Sequence, residues 1–182
     1  ELEPNLANKS LHGSVTISFV PINKSLSELI FSSKYKQIDS VKLNGEVVPY
    51  SLADDQLVIK FESQLEEAQI YSLKVDYSAS PERGMKFYDD HLFTVYHTKS
   101  WLVSHDNISD KATFELFLTH DINLSTVGNG RLVSRKVLEK NKGVSHWRQD
   151  IPMPMYTLGF AIGKFETVSL KADDVDIFIL FR

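Results

Sequence analysis

Val41-Lys42-Leu43-Asn44-Gly45-Glu46-Val47-Val48 reads as two extended runs joined by a two-residue turn. Asn-Gly supplies the two positive-φ residues of a type I′ turn, the strongest short-range signal of a β-hairpin. Outward from this turn the dominant period is two, the mark of half-buried strands. Val15, Ile17 and Phe19 alternate with Thr16 and Ser18, and Leu57, Ile59 and Phe61 with Val58 and Lys60. Tyr71, Leu73, Val75 and Tyr77 form a third row, Ala112, Phe114, Leu116 and Leu118 a fourth, and Tyr156, Leu158, Phe160 and Ile162 a fifth. Asn129-Gly130 repeats the hairpin signal, and Lys142-Gly143 divides residues 135–138 from 144–147 as a third hairpin. Pro49, Pro81, Pro152 and Pro154 mark strand edges or connections, because proline cannot donate to a ladder. Helical signals are confined to residues 25–34 and 63–69, each predicted to make a turn or two. Short strands at this spacing predict an all-β chain folded as an antiparallel β-sandwich or barrel, the sandwich preferred, as one domain over residues 1–182 with about residues 1–8 as a leader.

Composition narrows the function. The chain has 182 residues and a formal net charge of −4, with no basic stripe to follow a nucleic-acid backbone. No apolar run approaches the ~20 residues that a membrane-spanning helix needs. The absence of cysteine removes disulfides, thiolate metal sites and a Cys nucleophile. Glu1 rather than Met opens the chain, so it is expected to be a processed or excised piece.

Little in the residues themselves announces catalysis. Six histidines are present, none in a His-Glu-x-x-His pair. His91 and His97 are six apart and on one straight strand would share a face, which could seed a metal site, but no third ligand can be named. Asp54-Asp55 and Asp173-Asp174 are neighbours that would point to opposite faces of a strand, which makes them poor acid/base dyads. Tyr88, Tyr96, Trp101 and Trp147 could form a stacking platform for a sugar or peptide, or be core. The last strand, Val175-Asp176-Ile177-Phe178-Ile179-Leu180-Phe181-Arg182, is apolar on both faces, with Phe178 and Leu180 on the second. It is either a central strand of the sandwich or one whose second face packs on a domain lying outside this chain.

Four further pieces carry a resemblance. Trp101-Leu102-Val103-Ser104-His105-Asp106 leads through Asp110 to Lys111-Ala112-Thr113-Phe114, followed by Val127-Gly128-Asn129-Gly130, then Trp147, then Pro152-Met153-Pro154-Met155-Tyr156 running on to Gly163-Lys164-Phe165. In this order they resemble the N-terminal β domain of the M1-family zinc aminopeptidases, the aminopeptidase N-like group. Leu11-His12-Gly13-Ser14-Val15 is similar to that family's first strand. The resemblance covers roughly residues 5–170 and implies the saddle-like β domain of the family. It marks Trp101, Asp106, Lys111, Asn129, Gly130, Tyr156 and Gly163 as structural motif residues.

The resemblance also implies a thermolysin-like catalytic domain after residue 182, and Phe178 and Leu180 would then face it. The family's Gly-x-Met-Glu-Asn motif, zinc-binding His-Glu-x-x-His helix and oxyanion tyrosine all belong to that domain. This chain is therefore expected to hold no catalytic residue, metal or other cofactor. Zinc in the catalytic domain would activate water, and the intact protein would remove N-terminal residues from peptides. Many members place a Gln in the β domain against the substrate's amino group. Residues 92–97 contain none, which leaves Tyr96 and His97 as candidates to face the cleft. Val103 and Ile108 replace two of the family's prolines. The alternative is a free-standing β-sandwich serving as a binding or scaffold module without peptidase activity. The expected partners are the catalytic domain and peptide substrate, with no nucleic acid and no transmembrane segment.

Overall fold

The computed structural model describes residues 1–22, 26–105 and 107–181. Among these, seventeen strands follow one another: β1 Leu2–Asn5, β2 Ser10–Phe19, β3 Leu26–Ser32, β4 Lys36–Leu43, β5 Glu46–Val47, β6 Tyr50–Ala53, β7 Gln56–Leu65, β8 Tyr71–Ala79, β9 Met85–Phe87 and β10 His91–Thr94. After a one-turn 3-10 helix at Thr98–Ser100 come β11 Lys111–Asp121, β12 Ser125–Gly128, β13 Arg131–Val137 and β14 Lys142–Pro154. A second such turn, Met155–Thr157, precedes β15 Phe160–Gly163, β16 Glu166–Ala172 and β17 Val175–Phe181. The described residues contain no α-helix, and no helix long and apolar enough to cross a membrane.

Eight strands form the largest sheet, in the order β13-β14-β11-β1-β2-β8-β4-β5. Its pairings are antiparallel except β1 beside β11, where Leu2 stands opposite Leu118. Smaller sheets run β12-β15-β10-β9 and β3-β7-β6, and β16 pairs with β17 alone. One buried apolar cluster draws Leu11, Leu73 and Val75 from the large sheet, Leu57 and Ile59 from the three-stranded one, and Leu92, Phe160 and Ile162 from the four-stranded one. This sharing is what the alternation in sequence demands, since each strand has one apolar face to hide. Along β8 the residues Tyr71, Leu73, Val75, Tyr77 and Ala79 are all buried.

Several expectations change. Residues 26–34 and 63–69 are not helical, residue 25 lying outside the described residues: β3 takes up 26–32 and the end of β7 takes up 63–65, and their ladder overrides the local pattern. Residues 1–8, expected as a leader, include β1, which is hydrogen-bonded on both sides and buries Leu2. Asn44-Gly45 does turn a hairpin, with Leu43 opposite Glu46. Asn129-Gly130 does not, because β12 pairs with β15 while β13 pairs with β14, so this turn carries the chain from one sheet to another. The third hairpin is real but turns at Lys140 and Asn141, both left-handed, and Lys142 and Gly143 already belong to β14. Tyr156 lies in the second 3-10 turn, before the strand that holds Phe160 and Ile162. The closing strand β17 is no central strand: its partner is β16, in a sheet of two.

Candidate functional site

The geometry converges on the segment between β10 and β11. Tyr96 and His97 are consecutive non-glycine residues in the left-handed region, with φ of 46° and 48°. Each costs about 1–3 kcal/mol and persists only where its surroundings compel it. The compulsion comes from both ends. On the β10 side, the Thr94 hydroxyl donates to the Phe160 carbonyl at 3.2 Å and accepts from the Phe160 amide at 2.8 Å. Beyond the pair, the buried Thr98 hydroxyl lies 3.2 Å from the Tyr156 carbonyl and 3.3 Å from that of Leu158. Gly84, itself at φ +79°, lets this backbone pass, for a Cβ there would stand 2.7 Å from the His97 carbonyl oxygen and 2.9 Å from that of Tyr96. The chain then closes a tight turn, with Ser100 N–H on the His97 carbonyl and Trp101 and Leu102 N–H on that of Thr98.

Below the turn Trp101 is fully buried. Its ring meets Phe160 edge-on at 5.4 Å, and its carbonyl accepts the Tyr77 hydroxyl at 2.9 Å. Tyr77 in turn covers Gly13 on β2, its cross-strand neighbour, so closely that a Cβ on Gly13 would fall 2.4 Å from the ring. Tyr96, 74% exposed, and His97 are left open to solvent.

The remaining predicted residues separate into groups. Asn129 accepts the Gly159 amide at 2.7 Å and so ties the sheet-to-sheet turn to the segment entering β15. Gly130, at φ +79°, presses on the Arg148 carbonyl so closely that no side chain fits. Gly163 sits opposite His91, where a Cβ would come 2.7 Å from that of His91. Tyr156 offers its carbonyl to Thr98, and Lys111 opens β11 on the surface opposite Pro154. Asp106 lies outside the described residues. Phe178, 62% exposed, and the half-buried Leu180 share one face of the β16–β17 hairpin. Val168, Leu170, Ile177, Ile179 and Phe181 line the other face, also open to solvent.

Two possibilities left open by the sequence do not materialise. His91 and His97 do not share a strand face, because β10 ends at Thr94 and His97 is itself one of the two left-handed residues that follow. His91 instead stacks on Tyr88 at 4.3 Å and bonds Asp90 at 2.9 Å. Among the described residues no three His, Asp or Glu side chains are grouped to hold a metal ion. The aromatic platform is also absent, since Trp101 is core and Trp147 packs over Gly128 while donating to Thr126 at 3.0 Å. Sequence reasoning missed Thr98, Gly84 and Lys36. Thr98 and Lys36 sit in polar stretches that read as surface, and only the tertiary fold brings carbonyls to them.

Comparison with known proteins places this architecture. Residues 1–157 match the family described as Peptidase M1 N-terminal domain. A probable aminopeptidase 2 of Sulfurisphaera tokodaii is 28% identical over 166 residues, covering 84% of this chain and 20% of that protein. A leucine aminopeptidase 2 of Vanderwaltozyma polyspora is 23% identical over 174 residues, 84% of this chain and 26% of that protein. Among solved structures, an M1 zinc metallopeptidase of Deinococcus radiodurans superposes with a TM-score of 0.84 at 19% identity, over 97% of this chain and 44% of its own. Its E323A mutant bound to a Tyr-Ser-Ala substrate superposes at 0.85, also at 19% identity and over the same shares. The chain thus spans a quarter or less of one curated relative's length, about a quarter of the other's, and under half of the solved ones.

Proposed function

The chain belongs to the Peptidase M1 N-terminal domain family, and from that we propose that it is the non-catalytic β domain of a zinc-dependent aminopeptidase. In this reading residues 1–182 are one domain, the β16–β17 hairpin docks on a catalytic domain, and Tyr96 and His97 edge the entrance to the substrate cleft. The observation that carries it is the hairpin. A two-stranded sheet alone is marginal in water, and this one exposes Phe178 on one face and Val168, Leu170, Ile177, Ile179 and Phe181 on the other. Contiguous apolar surface of this kind marks an interface. In the same reading the zinc named for the solved relatives, and the hydrolytic step with it, belong to the catalytic domain.

The test uses the full-length protein. It should release N-terminal residues from peptides in a zinc-dependent manner and melt in one transition. Phe178→Asp together with Ile179→Asp should split that transition in two and lower activity. A full-length protein with no peptidase activity would instead favour a scaffold role, for which the missing Gln in residues 92–97 is the supporting feature.

A further inference from the structure

Lys36 opens β4 and is buried, with 9% of its surface exposed. Its ammonium has three N–H groups, and each finds a backbone carbonyl: Ser32 at 3.1 Å, Lys34 at 3.3 Å and Lys99 at 2.5 Å. Ser32 ends β3, and Lys34 lies in the turn that joins it to β4. The third belongs to the 3-10 turn next to Tyr96 and His97, 63 residues along the chain. Among the described residues no carboxylate pairs with Lys36, and burial lowers its pKa to about 8. A charge held this way is a poor stabiliser, because desolvation offsets much of what the hydrogen bonds return. What it supplies is geometry. The carbonyls of His97 and Thr98 are taken by the turn's own amides, and the Lys99 carbonyl is directed by Lys36. With Gly84 and Thr98, Lys36 completes a three-point hold on the loop.

We propose that Lys36 is a positioning residue for substrate recognition, its ammonium fixing the Lys99 carbonyl and through it the orientation in which Tyr96 and His97 meet the substrate's amino end. This rests on the reading above that the loop edges the cleft. The experiment compares the full-length wild type with Lys36→Met and Lys36→Arg, using a panel of aminoacyl 4-nitroanilides together with amide hydrogen exchange. In Lys36→Met the melting temperature should stay within a few degrees of the wild type, since loss of a buried charge offsets the three carbonyls left without its donors. Exchange at the Ser100, Trp101 and Leu102 amides should accelerate. KM should rise roughly tenfold with kcat unchanged, as expected when binding is lost equally from ground and transition states. Lys36→Arg keeps the charge, but its planar fork cannot send three bonds from one nitrogen, so the same rise is expected even if the Met variant does not fold. An active enzyme whose KM is untouched by either substitution overturns the proposal alone. A zinc-loaded wild type that cleaves nothing overturns the aminopeptidase reading and the proposal together.

Discussion

Tyr77→Phe removes one oxygen atom from the middle of the molecule. The phenol is 1% exposed and donates to the Trp101 carbonyl at 2.9 Å. Burial pushes its pKa well above the ordinary value, although a hydrogen bond at the Val103 backbone pulls the other way. In the variant the Trp101 carbonyl loses this donor where water does not reach, and a buried acceptor left unpaired costs about 1–3 kcal/mol. At ~2 kcal/mol, a domain of this size loses roughly 4–8 °C in melting temperature. Tryptophan fluorescence is the assay, because the chain has two tryptophans and Trp101 sits at the site. Gly13→Ala supplies the control. Its Cβ would stand 2.4 Å from Tyr77 Cζ and 2.6 Å from the hydroxyl oxygen, so the ring must withdraw and take the hydroxyl off Trp101. Tyr77→Phe should therefore cost far less in the Gly13→Ala background than in the wild type. Additivity of the two changes within about 0.5 kcal/mol, or a Tyr77→Phe chain that melts with the wild type, would refute the reasoning.

Three more predictions concern charge and metal. The folded-state pKa of Lys36, about 8, lies below its unfolded value of 10.5, so the unfolded chain binds more protons between these limits and stability rises with pH across them. Denaturant titrations at pH 7.5 and 10 should show that gain, up to ~3 kcal/mol from the size of the shift, and should lose it in Lys36→Met. His120 is buried, with Nδ1 2.7 Å from the Asp121 carbonyl and Nε2 2.9 Å from the Ser145 hydroxyl, and burial holds its pKa below 6.5. The folded imidazole therefore resists protonation, stability falls as the pH drops below ~6.5, and His120→Gln should show a shallower acid limb in urea titrations at pH 5 and 7. Chelators should leave the melting temperature of this chain unchanged, because its described residues group no metal ligands; a drop on adding EDTA would expose a site not seen here.

The strand rows were legible because burial on one face imposes a period of two that no other element shares. Leu73, Val75 and Tyr77 are buried as their alternation requires. What the sequence hid is what depends on the partner. Asn129-Gly130 has the same letters as Asn44-Gly45, yet its flanking strands pair with β15 and β14, and nothing within eight residues encodes that choice. Residues 25–34 carry a helix-like spacing that lost to the β3–β7 ladder. At the candidate site, Tyr96 and His97 were named as cleft residues only through the resemblance. Their left-handed backbone has no signature in side-chain type, since neither is glycine, and it comes from hydrogen bonds made by residues on either side.

That strain can be tested directly. Thr94 is clipped to Phe160 and Thr98 to Tyr156 and Leu158, so residues 95–97 must bridge a span fixed by the segment from Tyr156 to Phe160. A chain free to relax would not hold two bulky residues at φ near 47°, where each side chain crowds its own carbonyl at a cost of about 1–2 kcal/mol. Glycine at Tyr96 removes that crowding and gives up only the contacts of a side chain that is largely in solvent. After the ~0.5–1 kcal/mol that glycine loses in backbone entropy, Tyr96→Gly should leave the chain equally stable or slightly more stable. Most exposed aromatic-to-glycine changes would not. If Tyr96 also meets the substrate, the same variant of the full-length protein should bind peptides more weakly, so that stability and recognition move in opposite directions. A Tyr96→Gly chain destabilised by more than about 1 kcal/mol, a typical single-substitution loss, would mean that the left-handed pair stores no strain. The loop would then be held by the tyrosine itself rather than by the threonines at its ends.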